Sequence, residues 1–140
     1  MPQTRTGNPP TNIVSNANIR ATKTGTPARS ILTWAQAVQY SDLSAVRAAY
    51  AYRVRSAVPV ARMNAAAKLV GSFLGRPEIV NSRDRGTQAR VRVALISFDS
   101  AGRRSQQLTT FSLRRENGRW LLDDADLLLD SAAAVRRAAG

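Results

Sequence analysis

Cysteine and histidine are both absent from the 140 residues. Without cysteine there is no disulfide, no thiolate nucleophile and no sulfur ligand for a metal. Without histidine, the side chain that titrates nearest neutral pH is missing, and so is the commonest metal ligand. Any acid–base chemistry must come from a carboxylate, a tyrosine or a lysine, and the only lysines are Lys23 and Lys68. No metal centre and no cofactor are expected, and the balance weighs against an enzyme. Acid is scarce too. Nine Asp and Glu face 21 Lys and Arg, a formal net charge of +12. Such a surplus attracts anions: nucleic acid, anionic lipid or an acidic partner. No run of about 18 apolar residues occurs, so no membrane span is expected. No apolar leader region shows near Met1, which makes the cytoplasm the default expectation.

What is present is enough for one domain. At 44% hydrophobic, the chain is globular in composition and long enough to bury a core. Residues 1–29 are the exception. They are rich in Thr, Asn, Pro and Gly, carry Arg5, Arg20, Lys23 and Arg29 without acid, and read as a flexible basic tail. Residues 30–140 then form the expected domain. Ile31, Trp34, Ala35 and Val38 mark a first helix over 30–39. Ser41 or Asp42 can cap a second, whose apolar stripe is Leu43, Val46, Tyr50 and Val54. A third helix spans 58–74 on Val60, Met63, Ala67, Val70 and Leu74, with Gly75 and Pro77 as stop signals.

From there the period changes to two, the mark of strands. A short strand is expected over 78–83, followed by a turn at Arg83-Asp84-Arg85-Gly86. Longer strands follow over 90–98 and 108–114. Asn117-Gly118 is a two-residue type I′ hairpin signal. It predicts Glu116 opposite Arg119, Leu113 opposite Leu122, Ser112 opposite Asp123 and Phe111 opposite Asp124. A five-residue turn after Phe98 would set Val91 opposite Phe111. Asp130 or Ser131 caps a last helix ending in Arg136 and Arg137. The fold class is therefore α+β: helices packed on a curved antiparallel sheet of about four strands.

This order, with Ser41-Asp42-Leu43 between two helices and Asn117-Gly118-Arg119-Trp120 at the last hairpin, resembles the nuclear transport factor two-like superfamily. Its relatives include ketosteroid isomerase, polyketide cyclase and limonene epoxide hydrolase. The resemblance covers residues 30–129 and implies a cone-shaped fold, a curved sheet wrapped around helices, often with a pocket and often dimeric. Its enzymes use inward carboxylates, tyrosines or an Asp-Arg-Asp set. No full set can be placed here.

Four aspartates crowd the stretch from Arg115 to Asp130. Asp123 falls on the outer side near Ser112 and Arg114, as a solvated or arginine-paired residue. Asp130 is a cap. Asp124 and Asp126 follow Leu122 onto the face of Phe111 and Leu113, and are the catalytic candidates if they point inward; at a wet strand end they are only rim residues. Trp34, Tyr50, Phe111 and Trp120 are the expected pocket lining. Ala94, Ile96, Phe98 and Leu108 face outward as an apolar interface. Arg90, Arg92 and Arg114 are the expected anion-binding residues. The leading expectation is a non-catalytic binding or assembly domain that dimerises or docks a protein partner through its outer sheet face, with the basic tail touching a partner. The alternatives are a small-molecule enzyme of the ketosteroid isomerase or polyketide cyclase type using an inward carboxylate, and a nucleic-acid-associated protein. The last is weakened by the lack of aromatics for base stacking.

Overall fold

Six helices and four strands follow one another in a computed structural model that describes residues 12–139. The order is α1 (Asn16–Arg20), α2 (Pro27–Gln39), α3 (Leu43–Ala48), α4 (Tyr52–Ala57), α5 (Val60–Gly71), β1 (Arg76–Arg85), β2 (Gln88–Phe98), β3 (Arg104–Glu116), β4 (Arg119–Leu122) and α6 (Asp126–Ala139). The strands form one antiparallel sheet in the order β1-β2-β3-β4. The α+β architecture is as expected.

The register is set by the turns. Asn117 and Gly118 both have positive φ, 51° and 77°, which the I′ turn requires and its twist exploits. Glu116 pairs with Arg119 and Leu113 with Leu122. The ladder extends one step further, where the Asp123 N–H donates to the Ser112 carbonyl at 2.8 Å. Five residues separate β2 from β3, and Val91 indeed lies opposite Phe111. Asp99 organises that turn, accepting the amides of Ala101 and Arg103 at 2.9 Å each. Its carboxyl is held below the usual range by the Arg103 amide first of all.

Odd residues of β2 and β3 point to the helices. Val91, Val93, Phe111 and Leu113 join Ile31, Trp34 and Val38 of α2 in one buried cluster. Burial of each large side chain there contributes about 1.5–3 kcal/mol. The expected stripe on α2 is the buried one. Gly71 lets α5 approach α2: a methyl group there would lie 2.5 Å from the Val38 carbonyl oxygen.

Several expectations need correction. Residues 12–29 are not tail. Ser15 and Asn18 cap α1 reciprocally, and α2 begins at Pro27 behind a Thr26 cap. The segment before α1 is held by amide side chains. Val14 N–H donates to Gln39 Oε1 at 2.8 Å, and Gln36 Nε2 donates to the Val14 carbonyl at 3.1 Å. Asn12 Oδ1 accepts the Phe98 amide at 2.7 Å, and Val14 is fully buried. Residues 1–11 of the expected tail lie outside the described residues. The second helix is two, α3 and α4, because the chain between them pairs with β4. The Leu122 amide donates to the Ala49 carbonyl and the Ala51 amide to the Leu122 carbonyl, both at 2.8 Å, and Tyr50 forms a parallel bridge with Leu122. Two sheet bonds outweigh helical continuity there. Val60 is exposed rather than in the core. Arg83-Asp84-Arg85 is strand rather than turn, since Gly86 and Thr87 suffice to reverse the chain. Finally, α6 begins at Asp126, so Asp130 lies in its second turn and is no cap.

Candidate functional site

The hollow of the curved sheet, closed on one side by α6, leaves a cavity of ≈ 470 Å³ lined in part by Trp34, Tyr50, Phe111, Leu128, Asp124 and Asp126. Three of the four residues expected to line a pocket thus meet. Trp120 does not join them. It is opposite Arg115 in the register, and the Arg115 guanidinium stacks on its ring at 5.4 Å, away from this cavity.

At the floor, α2 supplies Trp34 and the bridge after α3 supplies Tyr50. The Trp34 indole N–H donates to the Tyr50 hydroxyl at 2.9 Å, and both side chains are about 1% exposed. Phe111 meets Trp34 edge-on, with centroids 5.5 Å apart, the geometry that ring quadrupoles favour. Burial pushes the Tyr50 phenol well above the ordinary tyrosine range. The hydrogen bond from Trp34 opposes that shift, and the Asp124 carboxylate adds to it. The phenol therefore stays protonated at neutral pH, a hydrogen-bond donor rather than a base.

At the rim stand the two carboxylates expected as catalytic candidates. Both residues are exposed. β4 ends at Leu122, so the chain bends before Asp124 could take its place opposite Phe111 on an apolar face. Asp124 Oδ1 accepts the Asp126 amide at 3.1 Å, covering a free N–H in the first turn of α6, a capping role. Its carboxyl is nevertheless raised above the usual range, first by partial burial and then by the charges of Asp126 and Asp123; the Asp126 amide and Arg53 act the other way. Asp123 behaves as its register implies. Arg53 of α4 grips it with two bonds of 2.7 Å, and Arg114 stands 4.0 Å away. The Arg53 guanidinium is held even more firmly protonated by that carboxylate. Sequence patterning could name Arg114 as its neighbour; Arg53, seventy residues away, was beyond its reach.

The outer face differs from the expected apolar interface. Ala94 and Ile96 are already buried. Ile96 lies between Arg76 and Gln106 in the register. Phe98 is half-buried. Leu108 is 49% exposed and Val80 54%. Val80 escaped sequence reading because a bulge between Ile79 and Asn81 shifts the register. The expected anion-binding residues Arg90 and Arg92 are exposed and Arg114 half-exposed on this same face, joined by Arg83 opposite Arg90.

Among the described residues no group of His, Cys, Asp and Glu is placed to hold a metal, and no helix is long and apolar enough to cross a membrane. No protein-family model and no curated protein matches the chain. Solved structures do. The chain is similar to a SEC-C motif containing protein from Rhodopseudomonas palustris, at 13% identity over 75% of this chain and 80% of that one, with a TM-score of 0.58. It is similar also to Rd1NTF2_05 carrying five substitutions, at 15% identity over 69% of this chain and 92% of that one, with a TM-score of 0.52. The fold is nuclear transport factor two-like. A variant of Rv3472 from Mycobacterium tuberculosis, a protein of unknown function, shares the arrangement at 13% identity over 80% of this chain and 85% of that one, with a TM-score of 0.51. At these identities the nuclear transport factor two-like fold transfers, and an activity does not.

Proposed function

We propose that this chain is a non-catalytic assembly domain that engages a second copy of itself through the outer face of its sheet. The observation that carries the reading is the pair of large apolar residues left exposed on the sheet, Leu108 of β3 and Val80 of β1. The cavity offers less for catalysis: the Tyr50 phenol is no base, and the Asp124 carboxylate sits at an exposed rim, bonded to the Asp126 amide. The face has the size for a weak dimer. β2 has 11 residues, about 37 Å at 3.4 Å each, and three strands span about 14 Å. That plan area of about 500 Å², enlarged by side-chain relief, approaches the 600–800 Å² per partner of the smaller specific interfaces.

Light scattering across a concentration series tests this. Wild type should shift from monomer to dimer, and Leu108→Asp should weaken pairing at least tenfold, because it places an unpaired charge in the contact. A strict monomer at all concentrations, or a dimer indifferent to both Leu108→Asp and Val80→Asp, would overturn the reading. A second reading, a small ring-bearing ligand in the cavity, is supported by its three aromatic walls beside one partly shielded carboxyl. In a Trp120→Phe background Trp34 is the one remaining tryptophan, so saturable quenching of tryptophan emission by such compounds would report that ligand.

A further inference from the structure

At the β1–β2 hairpin end of the outer face lies a second cavity, of ≈ 570 Å³, whose lining includes Arg53, Arg83, Arg85, Arg90, Gln88 and Ser112. Arg83 and Arg90 are directly opposed across the ladder, and Arg90 is opposed to Ser112 on its other side. Arg85 is opposed to Gln88. Residues two apart on a strand are about 7 Å apart and neighbouring strands about 4.8 Å, so three guanidinium stems rise from a patch that small. Like charges directly opposed in a sheet are unfavourable. No carboxylate relieves them: among the described residues Arg83, Arg85 and Arg90 have no ion-pair partner. Two carboxylates also line the cavity, Asp123 and Asp124: Asp123 is taken by Arg53 at 2.7 Å and approached by Arg114, and Asp124 accepts the Asp126 amide.

A local rule broken without an internal remedy is the pattern of a site completed by something else. We infer that this arginine cavity binds a small ligand bearing several phosphoryl groups. The guanidinium fork matches phosphate oxygens two at a time. Gln88 and Ser112 add neutral donors. Two adjacent phosphoryl groups can each meet a different arginine across the Arg83–Arg90 pair. The cavity volume lies in the range of small-molecule sites. No aromatic residue lines the cavity, so a base would find nothing to stack on, and recognition rests on the phosphoryl end of the ligand. The site occupies the hairpin end of the face proposed for pairing, so its titration is read at a concentration where the chain is monomeric.

Calorimetric titration of the full chain with inorganic tripolyphosphate tests the site, with a single-stranded 12-mer oligonucleotide as the second arm. One saturable tripolyphosphate site per chain is expected, weakening as salt rises. The double variant Arg83→Gln/Arg90→Gln should lose at least tenfold in affinity. Arg136→Gln/Arg137→Gln, which removes the same charge from exposed positions on α6, should change it less than twofold. The proposal is overturned if tripolyphosphate does not saturate, if both double variants lose affinity equally, or if only the oligonucleotide binds. The substituted arginines are exposed, and circular dichroism of both variants guards against a folding artefact.

Discussion

Replacing Tyr50 with Phe removes one oxygen atom and nothing else from the core. The ring still packs, but the Trp34 indole N–H, 2.9 Å from that oxygen, loses its acceptor. Trp34 is 1% exposed, so water cannot substitute without opening the core. A buried donor left unsatisfied costs about 1–3 kcal/mol. Removing the buried hydroxyl recovers part of that, which leaves an expected loss of about 1–2 kcal/mol at pH 7. With a urea slope of about 1.5 kcal/mol/M, the unfolding midpoint falls by about 1 M. The pH dependence makes the test specific. The folded phenol is raised above its ordinary value of 10.0 by burial. Above pH 10 the unfolded chain therefore releases this proton while the folded chain keeps it. The unfolded state then binds fewer protons, and stability falls as pH rises, by about 1.4 kcal/mol per unit. The contribution is fully present below pH 10 and is lost above it. Phe has no such proton, so all other titrations being shared, the gap between wild type and Tyr50→Phe should shrink between pH 10 and pH 11. Urea melts at pH 7, 9, 10 and 11 measure it. A gap absent at pH 7, or constant to pH 11, refutes the account of this buried pair.

Three further predictions concern two helix ends. Asp124→Ala should destabilise by about 1 kcal/mol by uncovering the Asp126 amide. Asp124→Asn keeps an acceptor and removes a charge that partial burial disfavours, so it should match or exceed wild type at pH 7. The folded carboxyl lies above its unfolded value of 3.8, so wild type is favoured below that value and loses ground as pH rises through the folded one. The advantage of Asn should therefore grow from pH 3 to pH 6 in thermal melts. Ser41 sits at φ 55°, where the end of α2 is closed by the Ser41 amide on the Val38 carbonyl at 3.1 Å and the Asp42 amide on the Ala37 carbonyl at 2.9 Å, a Schellman arrangement. Ser41→Gly should stabilise by about 0.5–1 kcal/mol, read as a higher Tm.

The parts of the molecule legible in the sequence were those governed by neighbours. Asn117-Gly118 fixes its own turn, the turn fixes Leu113 against Leu122, and the length of the Asp99 turn fixes Val91 against Phe111. Asp42 as a cap is equally local: its side chain accepts the Ala45 amide. What was not legible depended on partners far along the chain. The stripe Leu43, Val46, Tyr50 and Val54 is a sound helix pattern, and only the backbone bonds to Leu122 break it. Asp130 is a reasonable cap, and only the bend after Leu122 lets the helix start at Asp126 instead. Asn12 and Val14 look like tail until Gln36 and Gln39 hold them. Ile96 looks like interface until it is seen to be covered.

By itself, then, the sequence determined the class of the fold, the pairing of its last three strands and the absence of thiol or imidazole chemistry, because each follows from residue type or from separations of a few residues. The tertiary structure alone decided what the charged residues do. It turned Asp124 into a rim cap, joined Asp123 to Arg53, and left Arg83, Arg85 and Arg90 together without an ion pair among the described residues. Coulomb energy and desolvation depend on distances and burial in space, and a one-dimensional pattern contains neither.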